Sequence, residues 1–129
     1  MANLTAGENC GELQVALDII VGKWKPIILF HLMENEKLRF SELQRAIPEI
    51  TKKMLTSQLR ELEYNDIVHR EVYQQVPPKV EYSMTEYGHG LTPLLVSMRS
   101  WGTEHLKHLK ELRGEDKDNE EQEGKAGSN

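Results

Sequence analysis

Apolar positions recur at helical spacing over most of the chain and alternate strictly over one short part of it. From Glu12 onward, Leu13, Ala16, Leu17 and Ile20 follow steps of three and four, which predicts an amphipathic helix stopped at Gly22. Pro26 suits the first turn of a second helix carrying Ile27, Ile28, Leu29, Leu32 and Met33. That helix is apolar on most sides and is expected at the centre of the core. Glu34–Lys37 reads as a polar turn and Leu38–Phe40 as a short strand. Ser41, with Gln44 three residues on, forms a capping box for a short helix carrying Leu43, Ala46 and Ile47. Pro48 ends it by pushing Ile47 out of the helical region. Thr51 then caps a helix reaching about Asn65, with Leu55, Leu59 and Leu62 on its inner face.

The period changes at Val68. Val68, Arg70 and Val72 alternate with His69, Glu71 and Tyr73, and Val80, Tyr82 and Met84 alternate with Lys79, Glu81 and Ser83. Gln74–Pro78 joins the two runs into a β-hairpin with a long loop. Thr85 caps a last helical region to about Leu112, which Pro93 must kink or restart. A helix-turn-helix followed by a hairpin is a winged helix. The expected fold is mainly α with a small β-hairpin wing, an α+β winged helix-turn-helix dimerising through its terminal helices. Residues 1–9 are expected to be a loose N-terminus, 10–112 the domain, and 113–129 an acidic disordered tail.

Composition narrows the function classes. The 129 residues are 38% hydrophobic and 29% charged, a globular composition, and no apolar run approaches a membrane span. No N-terminal segment has the basic, apolar, small-residue order of a secretory signal. The single Cys excludes an intrachain disulfide and a Cys-based zinc site, so a reducing cytoplasmic setting is expected. The net charge of −5 argues against nucleic acid only if read globally. Residues 113–129 hold six acids and three bases, so the tail accounts for −3 of the total. Residues 51–80 hold five bases and four acids. Affinity for a polyanion depends on which face carries the cations.

With Leu55, Leu59 and Leu62 turned inward, Lys52, Lys53, Thr56, Ser57 and Arg60 face out. Short hydroxyls flanked by long cations suit a major groove: the hydroxyls allow close approach to base edges, and Lys and Arg reach phosphate or guanine. An ordinary solvated helix face carries similar residues. The preceding Ser41 helix, the Thr51 cap and the hairpin are what favour DNA. Arg70 and Lys79 are the expected wing contacts. In the last helix, Leu94, Met98 and Trp101 lead a wide apolar surface continued by Leu109, which calls for a partner. With Leu13 and Leu17 of the first helix, these positions are the expected homodimer interface. His105 and His108 are spaced for a metal, but without enough further ligands none is expected, nor any cofactor.

Several motifs occur together and in order: Leu17–Asp18–Ile19–Ile20, Gly22–Lys23–Trp24, Leu38–Arg39–Phe40–Ser41–Glu42–Leu43, Met54–Leu55–Thr56–Ser57–Gln58–Leu59–Arg60–Glu61–Leu62–Glu63, Val76–Pro77–Pro78–Lys79 and Thr85–Glu86–Tyr87–Gly88. Together with Cys10 they strongly resemble the HxlR-type bacterial transcription regulators, winged-helix proteins of the MarR-like group. The resemblance covers roughly residues 10–112. It implies a homodimer that binds double-stranded operator DNA, regulates transcription and catalyses nothing. Gly11 stands where that family usually has Pro. The resemblance also implies that Cys10 can sense oxidants or electrophiles, as in some relatives. A thiol just before a helix would meet free backbone N–H groups, which favour the thiolate, and Lys23 and Lys25 would assist if the fold brought them near. A small buried apolar Cys is the competing role. The alternative function is a winged-helix protein-interaction module without specific DNA binding. That module would need no outward cationic stripe. A thiol enzyme using Cys10 would need a base and an oxyanion site that the sequence does not supply.

Overall fold

The computed structural model describes the backbone of residues 6–127 and the side chains of residues 10–113. Its elements, in order, are α1 (Ala6–Ile20), α2 (Lys25–Glu34), β1 (Leu38–Arg39), α3 (Phe40–Ala46), α4 (Lys52–Tyr64), β2 (Val68–Tyr73), β3 (Lys79–Met84), a 3-10 turn (Gly88–Leu91) and α5 (Thr92–Gly127). The chain divides into two units, Met1–Thr92 and Pro93–Asn129. No described helix is long and apolar enough to cross a membrane.

The first unit is a winged helix-turn-helix. Ile28, Leu29 and Leu32 of α2 are fully enclosed, as expected for its central helix. They share the core with Leu43 of α3, with Leu55, Leu59 and Leu62 of α4, and with Val68, Tyr82 and Met84 of the sheet. Leu55, Leu59 and Leu62 are spaced by four and three, so one turn-to-turn stripe of α4 is buried and the opposite stripe faces outward. The sheet has three antiparallel strands in the order β1-β3-β2, with Arg39 opposite Glu81, Val68 opposite Met84 and Tyr73 opposite Lys79.

The junction between α4 and β2 explains why Thr85 and Gly88 occur as they do. After Asn65 the chain turns through Asp66 at φ 63°. The Ile67 N–H donates to the Leu62 carbonyl and the Asp66 N–H to the Glu63 carbonyl, the paired bonds of a Schellman stop. The Thr85 hydroxyl donates to the Asp66 carbonyl at 2.7 Å and accepts from the Gly88 N–H at 2.7 Å. Gly88 lies so close to this turn that a Cβ there would stand 2.3 Å from the Ile67 carbonyl oxygen.

Two local expectations are corrected, and of the two courses expected at Pro93 one is taken. The first helix starts at Ala6, not near Glu12. Its early residues need only the helical backbone, because no apolar stripe has to begin there. The short helix α3 is not capped by Ser41 with Gln44. Arg39, at φ −81° and ψ 162°, is its N-cap, and Glu42 accepts the Arg39 N–H at 2.8 Å. Ser41 is thus inside the first turn. Pro93 restarts rather than kinks the last helix, taking a place in the first turn of α5 after the 3-10 turn. The tail expected to be disordered over 113–129 lies, apart from Arg113, outside the residues whose side chains are described; the α5 backbone runs to Gly127.

Candidate nucleic-acid interface

Thr51 starts α4 by accepting the Met54 N–H on its Oγ1 at 3.0 Å, so its side chain serves first as a cap. Beyond it, Lys52, Lys53, Thr56, Ser57 and Arg60 line one open depression of about 390 Å³. This is the stripe that the Leu55–Leu59–Leu62 spacing turns outward. Among the described residues no ion pair engages Lys52, Lys53 or Arg60. Both hydroxyls lie between cations, so the surface presents positive charge around two short donor-acceptor groups. Ser41 is exposed on α3.

The wing differs from the simple expectation. Arg70 is opposite Tyr82 and Lys79 opposite Tyr73. Side chains alternate along a strand, so Arg70 and Lys79 point to opposite faces of the hairpin. Arg70 is exposed and has no ion-pair partner among the described residues. Lys79 is engaged: its Nζ stands 4.5 Å over the Tyr73 ring and 3.6 Å from Glu81 Oε2. Glu81 Oε1 also lies 4.0 Å from the Nζ of Lys37, a residue the sequence placed in a polar turn. The Lys37 ammonium is held above its ordinary pKa, first by a hydrogen bond with Tyr73 and then by the Tyr73 and Glu81 charges. Lys37 and Arg39 differ by two positions, a parity that would have put both on one strand face.

Cys10 is exposed and sits inside α1, as its fifth residue. It lies inside the helix, just past the first turn, and does not precede it. Both lysines expected to assist have partners of their own. Lys23 Nζ stands 4.7 Å over the Trp24 ring, and Lys25, only 11% exposed, pairs with Glu61 of α4. The Lys25–Glu61 pair joins residues 36 apart in sequence, and no local pattern announces it.

The positions expected at a dimer interface are largely uncovered in the single chain. Leu13 is 57% exposed, Leu17 is half-buried, Leu94 and Met98 are exposed, and Leu109 is half-buried. Trp101, 66% exposed, stacks on His105 with ring centres 4.7 Å apart. His105 in turn lies 6.3 Å from the His108 ring. Among the described residues no cluster of three or more His, Cys, Asp or Glu is arranged to hold a metal.

Comparison with known proteins matches this architecture. Residues 19–110 match the model of the HxlR-like helix-turn-helix family. The chain is 50% identical over 105 residues to the HTH-type transcriptional regulator YdeP of Bacillus subtilis, covering 81% of this chain and 80% of YdeP. It is 51% identical to the redox regulator HypR in its reduced form, with a TM-score of 0.73 over 78% of this chain and 98% of HypR. The oxidised form of HypR is 54% identical, with a TM-score of 0.69 over 72% of this chain and 95% of HypR. An outward cationic stripe on the second helix of a helix-turn-helix, a hairpin wing beside it and these relatives lead to one conclusion: the chain belongs to the HxlR-like helix-turn-helix family and is a DNA-binding transcriptional regulator.

Proposed function

We propose that this regulator works in the cytoplasm as a homodimer on a pseudo-palindromic operator, with α4 of each copy in the major groove. Thr56 and Ser57 meet base edges, and Lys52, Lys53 and Arg60 meet phosphate or guanine. Ser41 and the first turn of α4 at Thr51 approach the backbone, while Arg70 and Lys79 of the wing take flanking phosphates. The two copies join through Leu13 and Leu17 of α1 and Leu94, Met98, Trp101 and Leu109 of α5. Regulation is by binding alone, without a catalysed reaction. One observation carries the proposal: five side chains of the expected chemistry share a single open face of α4, and its three cations have no internal counter-charge among the described residues. Selection of bound fragments from genomic DNA, with light scattering on the free protein, tests it. The expected result is a dimer and a motif whose half-sites lie about 10 bp apart, or a multiple of that. A monomer at micromolar concentration, or fragments with no shared dyad, refutes it.

A second reading is favoured by the exposure of Cys10 and by the similarity to HypR, a redox regulator. An oxidant of the diazene class takes two electrons and two protons from two Cys10 thiols, one from each copy, and leaves an intermolecular disulfide. A quinone-like electrophile instead adds the thiolate and gains a proton. Wild type should change its DNA binding with either reagent, and Cys10→Ser should not. An equal response in both, or none in wild type, makes Cys10 structural.

A further inference from the structure

The outer face of the sheet carries a row of charges of which the DNA-binding role just proposed uses only Lys79. By strand alternation, His69, Glu71 and Tyr73 of β2, Lys79, Glu81 and Ser83 of β3, and Arg39 of β1 share this face. Glu81 is at its centre, with Arg39 opposite on one neighbouring strand and Glu71 opposite on the other. Two carboxylates directly across a strand pair repel each other. Each has its own partner: the His69 ring Nε2 lies 2.8 Å from Glu71 Oε1, and Glu81 lies between Lys37 and Lys79. The Glu81 side chain is only 18% exposed, so it depends on those two ammonium groups more than a solvated carboxylate would. Tyr73 completes the arrangement, with Lys79 over its ring and Lys37 at its hydroxyl.

At 4.0 and 3.6 Å, both lysines stand farther from Glu81 than a charge-assisted hydrogen bond requires. Their attraction to Glu81 is by charge alone, beside the Tyr73 hydroxyl for Lys37 and the Tyr73 ring for Lys79, and a phosphate oxygen at hydrogen-bonding distance offers each of them more. We propose that Glu81 is a positioning residue for DNA binding: it holds Lys37 and Lys79 side by side on the outer wing face and competes with phosphate for them. It follows that Lys37 is a DNA-contacting residue together with Lys79. This rests on the proposal that wing cations meet phosphate, so the test separates the two.

The probe is a duplex of about 30 bp of mixed sequence, with affinity measured across a salt series. Glu81→Gln keeps the shape and removes the competing charge. It should bind several-fold tighter near physiological salt, with a salt slope steeper by about 1, the value of one further phosphate neutralised. Glu81→Asp keeps the charge and should keep the wild-type slope. In a Lys37→Gln/Lys79→Gln background the gain from Glu81→Gln should vanish. Unchanged or weaker binding by folded Glu81→Gln overturns the inference, as does a gain that persists without the two lysines, because Glu81 would then act only as bulk charge. If the double lysine variant itself binds as wild type does, with the same slope, Lys37 and Lys79 do not meet DNA, and both this inference and the parent assignment of Lys79 to phosphate fail. If that double variant binds weakly while Glu81→Gln changes nothing, the parent proposal stands and only the role of Glu81 falls.

Discussion

Replacing Thr85 by Val tests the joint that holds the wing to the helix-turn-helix. Val has the shape of Thr and the same branched Cβ, so packing and rotamer preference are conserved. What is lost is the hydroxyl, which bonds at 2.7 Å to the Asp66 carbonyl and at 2.7 Å to the Gly88 N–H. The Asp66 side of the joint is near solvent, so its carbonyl regains water and the loss there is one net hydrogen bond, about 1 kcal/mol. Gly88 is buried, and its N–H is left without that partner at a cost of about 1–3 kcal/mol. The expected destabilisation is therefore about 2–4 kcal/mol, a large fraction of the stability of a domain this size. Urea unfolding should show a lower midpoint with an unchanged slope, the signature of lost stability in an otherwise similar fold. Thr85→Ser keeps the hydroxyl and gives up one methyl group, so it should cost less than Thr85→Val. A Thr85→Val stability within about 0.5 kcal/mol of wild type, or above that of Thr85→Ser, would show that the joint does not depend on this hydroxyl.

Gly88→Ala places a Cβ 2.3 Å from the Ile67 carbonyl oxygen, so the turn must move, and denaturant titration should show a loss of about 1–3 kcal/mol. On α4, Lys53→Ala or Arg60→Ala should weaken binding to all sequences alike and lower the salt slope by about 0.9 for each phosphate no longer neutralised. Thr56→Ala or Ser57→Ala should instead change which base pairs are preferred, by about 1–3 kcal/mol in competition binding where the hydroxyl reads a base edge. If α5 carries the proposed dimer interface, Trp101→Asp or Met98→Asp puts a charge on its apolar face, and sedimentation should show weaker self-association than wild type.

Much of this fold is legible in the sequence because burial imposes a period on it. Leu55, Leu59 and Leu62 mark the inner face of α4, and fixing that face fixes the outer one, so Lys52, Lys53, Thr56, Ser57 and Arg60 fall together as one group. The alternation of β2 and β3 is a consequence of the same kind. What stays hidden depends on contacts between distant residues. At the start of α3 the sequence points to Ser41 with Gln44 as the cap, and the structure uses Arg39 with Glu42 at the same spacing. The choice between them depends on where β1 stops pairing with β3, at Arg39 opposite Glu81, 42 positions later. In the sequence Lys79 is a wing cation without a visible partner, because Tyr73 is reached only through the hairpin register. Lys25 and Glu61 meet for a similar reason, by the packing of α2 beside α4.

The placement of acids resolves the apparent conflict between an acidic chain and an anionic ligand. Within the first unit four carboxylates of the helix-turn-helix and wing have internal partners. Glu42 accepts a backbone N–H at the start of α3, Glu61 takes Lys25, Glu71 takes His69, and Glu81 takes Lys37 and Lys79. Lys52, Lys53, Arg60 and Arg70 have no such partner among the described residues. The four exposed cations therefore face solvent without an ion-pair partner among the described residues, while these four acids are engaged elsewhere. At physiological ionic strength charges farther than about 8 Å away are largely screened. What a phosphate meets at α4 is thus the local stripe and not the net charge of −5. Three of the six acids in 113–129 are balanced by bases of the same segment, and the remainder act on DNA only if that segment comes within the screening length. The sign of the protein's charge sets its solubility; the arrangement of its ion pairs sets its affinity for DNA.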